Sequence, residues 1–334
     1  MKIKMPEIHI YGVNHSPWCQ AVLLTLNIKG LKYTLSSLLE PRTIQESYRA
    51  GQPSPVRFPA MWYDGQCIYE SINIIEFLDA KHPNNPRLFE NMKEEEVQKC
   101  LQEMPVDKVF SYALTRVAGT KQLQFWYEWS IMGEQSRSLM DQTLSRFFRP
   151  PMALYFWTLI NFIRFTKFKN HWPESIFLNS IARIAENFKK NGGKYMLGDQ
   201  ITYLDILLMG HFQCMFSGSN GLGALSKEVV SFIDQHPSMW VWLKNMHQDP
   251  LFDDYPYMYT RCDATVLQRT GGIKKGTVPS DGILGQLTFW FGVCFWISVW
   301  PFTLMFLFWA MGTRMWKNSQ GFKEPQFRFR FLKD

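Results

Sequence analysis

The run from Gln286 to Met311 contains no charged residue; Asp281 is the nearest charge before it and Arg314 the nearest after it. A hydrocarbon core ~30 Å thick takes about 20 helical residues to cross. The run is long enough for that and has no polar face to offer to water. A single transmembrane anchor is therefore expected over residues 286–313. Trp290, Trp296, Trp300 and Trp309 punctuate it. The outer two suit the headgroup level, whereas Trp296 and Trp300 would lie deep and so imply a helix partner. Pro301 is expected to kink the span rather than split it, because halves of under ~15 residues cannot each cross.

The 334-residue chain is long enough for two domains besides the anchor. Its formal charge of +7 suits an anionic membrane surface or an anionic small ligand. No Lys/Arg block or binding motif accompanies that charge, which argues against nucleic acid. The six cysteines are scattered without a Cys-x-x-Cys pair or a His/Cys cluster, so no metal site is expected. Met1 to His9 does not resemble a signal peptide, and free thiols in a reducing compartment follow.

Along the chain, Ile8–Val13 reads as a strand that breaks at Asn14-His15-Ser16-Pro17. Trp18–Ile28 is bracketed by Pro17 and Gly30 as a helix. Tyr33–Leu39 and Ala60–Tyr63 read as strands, Asp64-Gly65 as a hairpin turn, Gln66–Tyr69 as the returning strand, and Ser71–Lys81 as a helix. Beyond Lys93 only helical periodicity remains: Lys93–Met104, Lys108–Val117, Glu174–Lys190, Leu204–Phe216 and Lys227–Gln235. The expected fold is α+β, a thioredoxin-like N-terminal domain (6–82) followed by an all-helical domain (92–260) with an enlarged insert near 118–173. A linker (261–285), the anchor and a basic tail (314–334) complete it.

An α/β half followed by a helical half resembles the glutathione transferase superfamily over roughly residues 6–260. Three motifs carry the resemblance. The first is Arg57-Phe58-Pro59-Ala60-Met61, where the family holds the proline cis before the third strand. The second is Asp64-Gly65 followed by Glu70-Ser71 at a helix start. The third is Gly198-Asp199-x-x-Thr202-x-x-Asp205, a capping box with Thr202 as cap and Asp205 answering it. The tail-anchored architecture with its long insert is similar to that of the ganglioside-induced differentiation-associated family.

The resemblance implies glutathione as co-substrate. Phe58, before Pro59, would present main-chain groups to its cysteine, Arg57 would meet its glycine carboxylate, and Glu70 its γ-glutamyl amine. Ser71 and the first N–H groups of its helix would take the γ-glutamyl carboxylate, since helix N-termini attract anions. Ser16 would hydrogen-bond the sulfur and favour thiolate. His15 would orient the substrate or simply lie exposed, and Cys19 would either pack in the core or react. Serine-type members carry a basic residue near Ala21, which is absent here. Phe110, Tyr112, Arg116 and Trp126 would be core or electrophile wall. The implied partners are glutathione, a hydrophobic electrophile, the lipid bilayer and a possible homodimer.

The expected function is a glutathione-dependent transferase acting on apolar electrophiles at a membrane surface. The alternative is a non-catalytic tail-anchored scaffold of the same fold. Met152–Phe162, with basic flanks, would lie in the headgroup region or pack on the insert. The transferase-like domain is expected in the cytosol, with the short end expected to insert into the mitochondrial outer membrane, peroxisome or endoplasmic reticulum.

Overall fold

The computed structural model describes residues 7–13, 16–36, 58–83, 86–90, 92, 94–104, 106, 139–168, 174–216, 229–255, 264–271, 282–302, 304, 305, 308, 309 and 312. Arg57, His15, the helix expected over Lys108–Val117 with Phe110, Tyr112 and Arg116, Trp126, most of the linker and the basic tail lie outside them.

The N-terminal unit runs β1 (Ile8–Tyr11), α1 (Pro17–Ile28), β2 (Thr34–Ser36), β3 (Ala60–Tyr63), β4 (Gln66–Tyr69) and α2 (Ser71–Lys81). The sheet order is β2-β1-β3-β4. β1 and β2 are parallel, which requires a crossover, and α1 supplies it. β1–β3 and β3–β4 are antiparallel. Asp64 (φ 43°) and Gly65 (φ 91°) both take left-handed backbone. That pairing matches the right-handed twist of the flanking strands and explains why β3 and β4 close over two residues. This mixed sheet, with α1 packed against α2, is a thioredoxin-like arrangement.

The rest is helical among the described residues: α3 (Glu94–Glu103), α4 (Leu139–Phe168), α5 (Glu174–Asn191), α6 (Tyr203–Phe216), α7 (Pro237–His247), α8 (Ala264–Thr270) and α9 (Ile283–Ser298). α6 is buried over its whole length and packs on α1. Gly210 permits this contact. A Cβ there would stand 2.5 Å from the Pro17 carbonyl oxygen and 3.1 Å from the Ala21 nitrogen.

Two buried carboxylates gather donors, one at the end of the N-terminal unit and one within the helical half. Asp79 accepts from Lys29 Nζ (2.7 Å) and from the Leu88 and Phe89 amides (2.9 and 3.2 Å). The connection after α2 is thereby held against α1 and α2, with Leu88 and Phe89 in the core. Asp205 accepts from the amides of Met196 (2.8 Å) and Thr202 (2.9 Å), the Thr202 hydroxyl (2.7 Å) and Trp242 Nε1 (2.9 Å). Asp205 answers the Thr202 N–H as a capping box requires. The Thr202 hydroxyl, however, donates to the carboxylate instead of accepting from the helix. Burial pushes the Asp205 carboxyl pKa up, against the pull of these four donors.

The single span, kinked at Pro301, expected over 286–313 needs correction. α9 ends at Ser298, the backbone turns at Val299, and helical residues resume at Trp300. Pro301 explains the break: it has no N–H for the Ile297 carbonyl, and its ring clashes there. The 16 residues of α9 extend only about 24 Å. Among the described residues no helix is long and apolar enough to cross a membrane. The Met152–Phe162 segment lies inside α4, a 30-residue helix with Pro150 and Pro151 in its interior, and α4 packs against α9.

Candidate functional site

Strand register brings the candidate residues to one end of the sheet. β1 leaves the sheet at Tyr11, which pairs with Ala60, the first residue of β3. Ala60 in turn pairs with Tyr69, the last residue of β4. Ser16 follows the end of β1, Phe58-Pro59 precedes β3, and Glu70-Ser71 follows β4. Neighbouring strands lie ~4.8 Å apart, so the outer two of these three chain segments are separated by about 10 Å. A tripeptide reaches that far.

The central segment is the Phe58–Pro59 peptide, which is cis. Pro59 is buried and Phe58 half-buried. Gly12 sits between this segment and α1: a Cβ at Gly12 would meet Cys19 Sγ at 3.0 Å and Pro59 Cα at 3.6 Å. The Gly12 amide also bonds the Ser36 carbonyl at 2.9 Å.

Ser16 is the N-cap of α1, with extended backbone and Pro17 at the first helical position. Its amide donates to the Val13 carbonyl (3.0 Å), and its carbonyl accepts from Gln20 (2.8 Å). Its hydroxyl makes no cap bond to the helix and is half-exposed. α6 backs the turn. Besides the Gly210 contact, the His211 ring stands edge-to-face on Trp18 with centroids 5.8 Å apart. The His211 Nδ1 donates to the Leu207 carbonyl at 2.7 Å. The Tyr255 hydroxyl, from beyond α7, donates to Gln20.

At the third segment, α2 begins at Ser71 itself, one residue earlier than a capping serine would place it. Glu70 takes the cap position at φ 69°, a left-handed conformation uncommon outside glycine, and no side chain caps the helix. Such outliers persist where surrounding structure over-determines them, often at ligand clamps. The opening turn of α2 is left with backbone donors that no side-chain cap takes up. Ser71 is buried at that opening.

The remaining thiol and cation questions resolve by packing. Cys19 is buried, and burial pushes its thiol pKa far up, away from thiolate; it is a core residue. Ala21 is wholly buried against α6, so a cation at that position has no room. Sequence reasoning missed Gly12 and Gly210. The only local sign was a glycine inside a strongly apolar helix, which costs about 1 kcal/mol unless packing needs it. Among the described residues no group of His, Cys, Asp or Glu side chains could hold a metal ion.

Residues 15–81 match the glutathione S-transferase N-terminal domain family. A probable glutathione S-transferase from Solanum tuberosum is 32% identical over 77 residues, 22% of this chain. The match spans only 34% of that relative's length. Among solved structures, the Tau class glutathione S-transferase of mango, Mangifera indica, aligns over 75% of this chain and 92% of its own, at 16% identity and a TM-score of 0.48. A β-etherase from Sphingobium covers 74% and 97% at 17% identity and a TM-score of 0.46. A glutathione S-transferase from Methylobacillus flagellatus, solved with glutathione bound, covers 74% and 98% at 14% identity and a TM-score of 0.45.

Proposed function

We propose that the chain binds glutathione across the sheet end formed by Ser16, Phe58-Pro59 and Glu70-Ser71, and acts as a glutathione-dependent transferase on apolar electrophiles at a membrane surface. The carrying observation is the shared register of three segments distant in sequence, within the stretch that matches the transferase N-terminal domain. The γ-glutamyl carboxylate meets the first N–H groups of α2 and the Ser71 hydroxyl, where the helix dipole favours an anion. Glu70 takes the amine. The cysteine unit lies along the main chain of Phe58, and Arg57 receives the glycine carboxylate.

The sulfur then approaches Ser16. Its hydroxyl donates a hydrogen bond that favours the thiolate over the thiol, because a bond to the charged form lowers a pKa. The thiolate attacks the electrophilic carbon, an S–C bond forms, and the leaving group departs with the displaced electron pair. No metal is needed for this chemistry. The apolar surface of α9 would hold the domain where such electrophiles dissolve, with the domain itself in the cytosol.

Calorimetric titration of the full chain in detergent with glutathione tests the reading. Ser71→Ala is expected to weaken binding about tenfold, the value of one hydrogen bond to a carboxylate. Ser16→Ala is expected to leave binding nearly unchanged and to slow conjugation of an aryl chloride about a hundredfold. No binding by the wild-type chain, or equal binding by Ser71→Ala, contradicts the reading. A second reading, a non-catalytic tethered scaffold, is favoured by Ala21, whose burial leaves no place for a sulfur-stabilising cation. Thiolate absorbance of bound glutathione separates the two: the transferase lowers the thiol pKa below that of the free tripeptide, and the scaffold does not.

A further inference from the structure

Proline at an interior helix position frees the carbonyl four residues earlier. In α4 Pro151 does this to Phe147, and the Phe147 carbonyl is not left to solvent: Trp296 Nε1 of α9 donates to it at 3.0 Å. The approach depends on Gly292, one turn before Trp296. A Cβ there would stand 2.8 Å from the Phe147 carbonyl oxygen and 3.3 Å from its Cα. The Phe147 ring meets Phe295 and Trp296 with centroids 5.2 and 5.7 Å apart, and Phe148 meets Trp296 at 5.6 Å. A kink carbonyl, a glycine notch and an indole thus interlock the two helices.

The pair's outer surface is built for an apolar solvent. Ile283, Leu287, Trp290, Phe291 and Ile297 are each more than half exposed, as are Met140 on α4 and Trp300 past the break. Hydroxyl and amide side chains on both helices bond back to their own helix. Thr288 donates to the Leu284 carbonyl (2.8 Å), Ser298 to Cys294 (2.7 Å), Thr158 to Leu154 (2.7 Å) and Asn161 to Trp157 (2.8 Å). Hydrocarbon offers no partner to a polar group, so each must be satisfied internally. Charge agrees in the sequence: Arg149 apart, which is buried, α4 contains Arg146, Arg164 and Lys167 against a single acid, Asp141, and the residues after 313 are basic. Both complement an anionic leaflet.

We infer that α4 and α9 enter an anionic lipid bilayer together, as one paired unit locked by the Trp296 indole on the Phe147 carbonyl. The chain then holds the membrane at two points separated by over a hundred residues of sequence, and the helix partner of the C-terminal segment is internal rather than a second copy. This rests on the membrane part of the reading above and is independent of glutathione.

The test uses the full chain in anionic vesicles, with a genetically encoded fluorescent amino acid replacing either Phe148 on α4 or Leu287 on α9. Both probes are expected to be quenched by brominated lipid and shielded from aqueous iodide. Trp296→Phe keeps the ring but removes the donor. It should reduce lipid quenching at position 148 several-fold and leave position 287 unchanged, whereas Trp290→Phe, on the open face, should alter neither. If position 287 is lipid-quenched while position 148 is open to iodide, the paired insertion is wrong and membrane attachment through α9 stands. A position 148 probe shielded from both quenchers means that protein covers it, which also overturns the inference. If neither probe senses lipid, the membrane reading falls with it. An unaltered position 148 signal in Trp296→Phe removes the lock.

Discussion

α6 and α9 are both apolar all round, yet protein encloses one and leaves the other bare. Every residue of α6 is buried; most of α9 beyond its contact with α4 is exposed. The difference shows in the few polar groups that each carries. α6 uses Asp205 to gather Met196, Thr202 and Trp242 from separate parts of the chain, so its surroundings are specified protein. α9 has no such hub. Its hydroxyls fold back on their own helix, and a long-range bond runs from Trp296 to the Phe147 carbonyl. On the membrane reading proposed above, the two helices face different apolar surroundings, and their polar groups differ accordingly.

Substitutions in the two helices should therefore fail in different ways. The largest effect is expected from Asp205→Ala, which strands buried donors on Met196, Thr202 and Trp242. It should cost about 3–5 kcal/mol of unfolding free energy in a denaturant titration of the detergent-solubilised chain. A loss under about 1 kcal/mol breaks the picture of α6 as a polar-hub helix. Leu287→Lys on α9 should barely change that titration. It should instead weaken vesicle partitioning by about 2.5–3.5 kcal/mol, the cost of a lysine at depth. Equal partitioning of mutant and wild type contradicts the contrast.

Gly210→Ala sharpens the comparison, because it forces α6 off the Pro17 carbonyl. About 1–3 kcal/mol of stability should be lost, with conjugation slowed as the Ser16 turn shifts. The corresponding change on α9, Gly292→Ala, should act on lipid quenching at position 148 and not on glutathione. The smallest effect is a pH dependence. Burial raises the Asp249 carboxyl pKa, but Lys194, the Tyr195 hydroxyl and the Leu251 amide together hold it below the ordinary value. A lowered carboxylate stabilises the fold fully above its unfolded pKa, about 4. That contribution disappears as pH falls through the folded value. Asp249→Asn should flatten the wild-type acid limb in a pH series of melting temperatures.

The parts of the fold written in local chemistry were readable in the chain. Asp64-Gly65 between two alternating runs specified the β3–β4 hairpin, and both residues adopt the left-handed backbone that such a turn needs. Ser71–Lys81 begins and ends as its pattern implies. The three site segments could be named from motifs. Their convergence could not, since it depends on Tyr11 pairing with Ala60 and Ala60 with Tyr69.

Other features depend on partners far along the chain. Gly210 and Gly292 look like helix weaknesses until the backbones pressed against them are known. Cys19 admitted two readings from sequence, and only its burial beside Gly12 decides for packing. The apolar run was legible as apolar, but Pro301 ends the helix sooner than hydropathy alone suggests.

The most direct measurement is a structure of the full chain with glutathione. The sulfur is predicted within hydrogen-bond distance of Ser16 Oγ, and the γ-glutamyl carboxylate on the first amides of α2 beside Ser71. Glutathione seated elsewhere, or with its sulfur turned away from Ser16, contradicts the account.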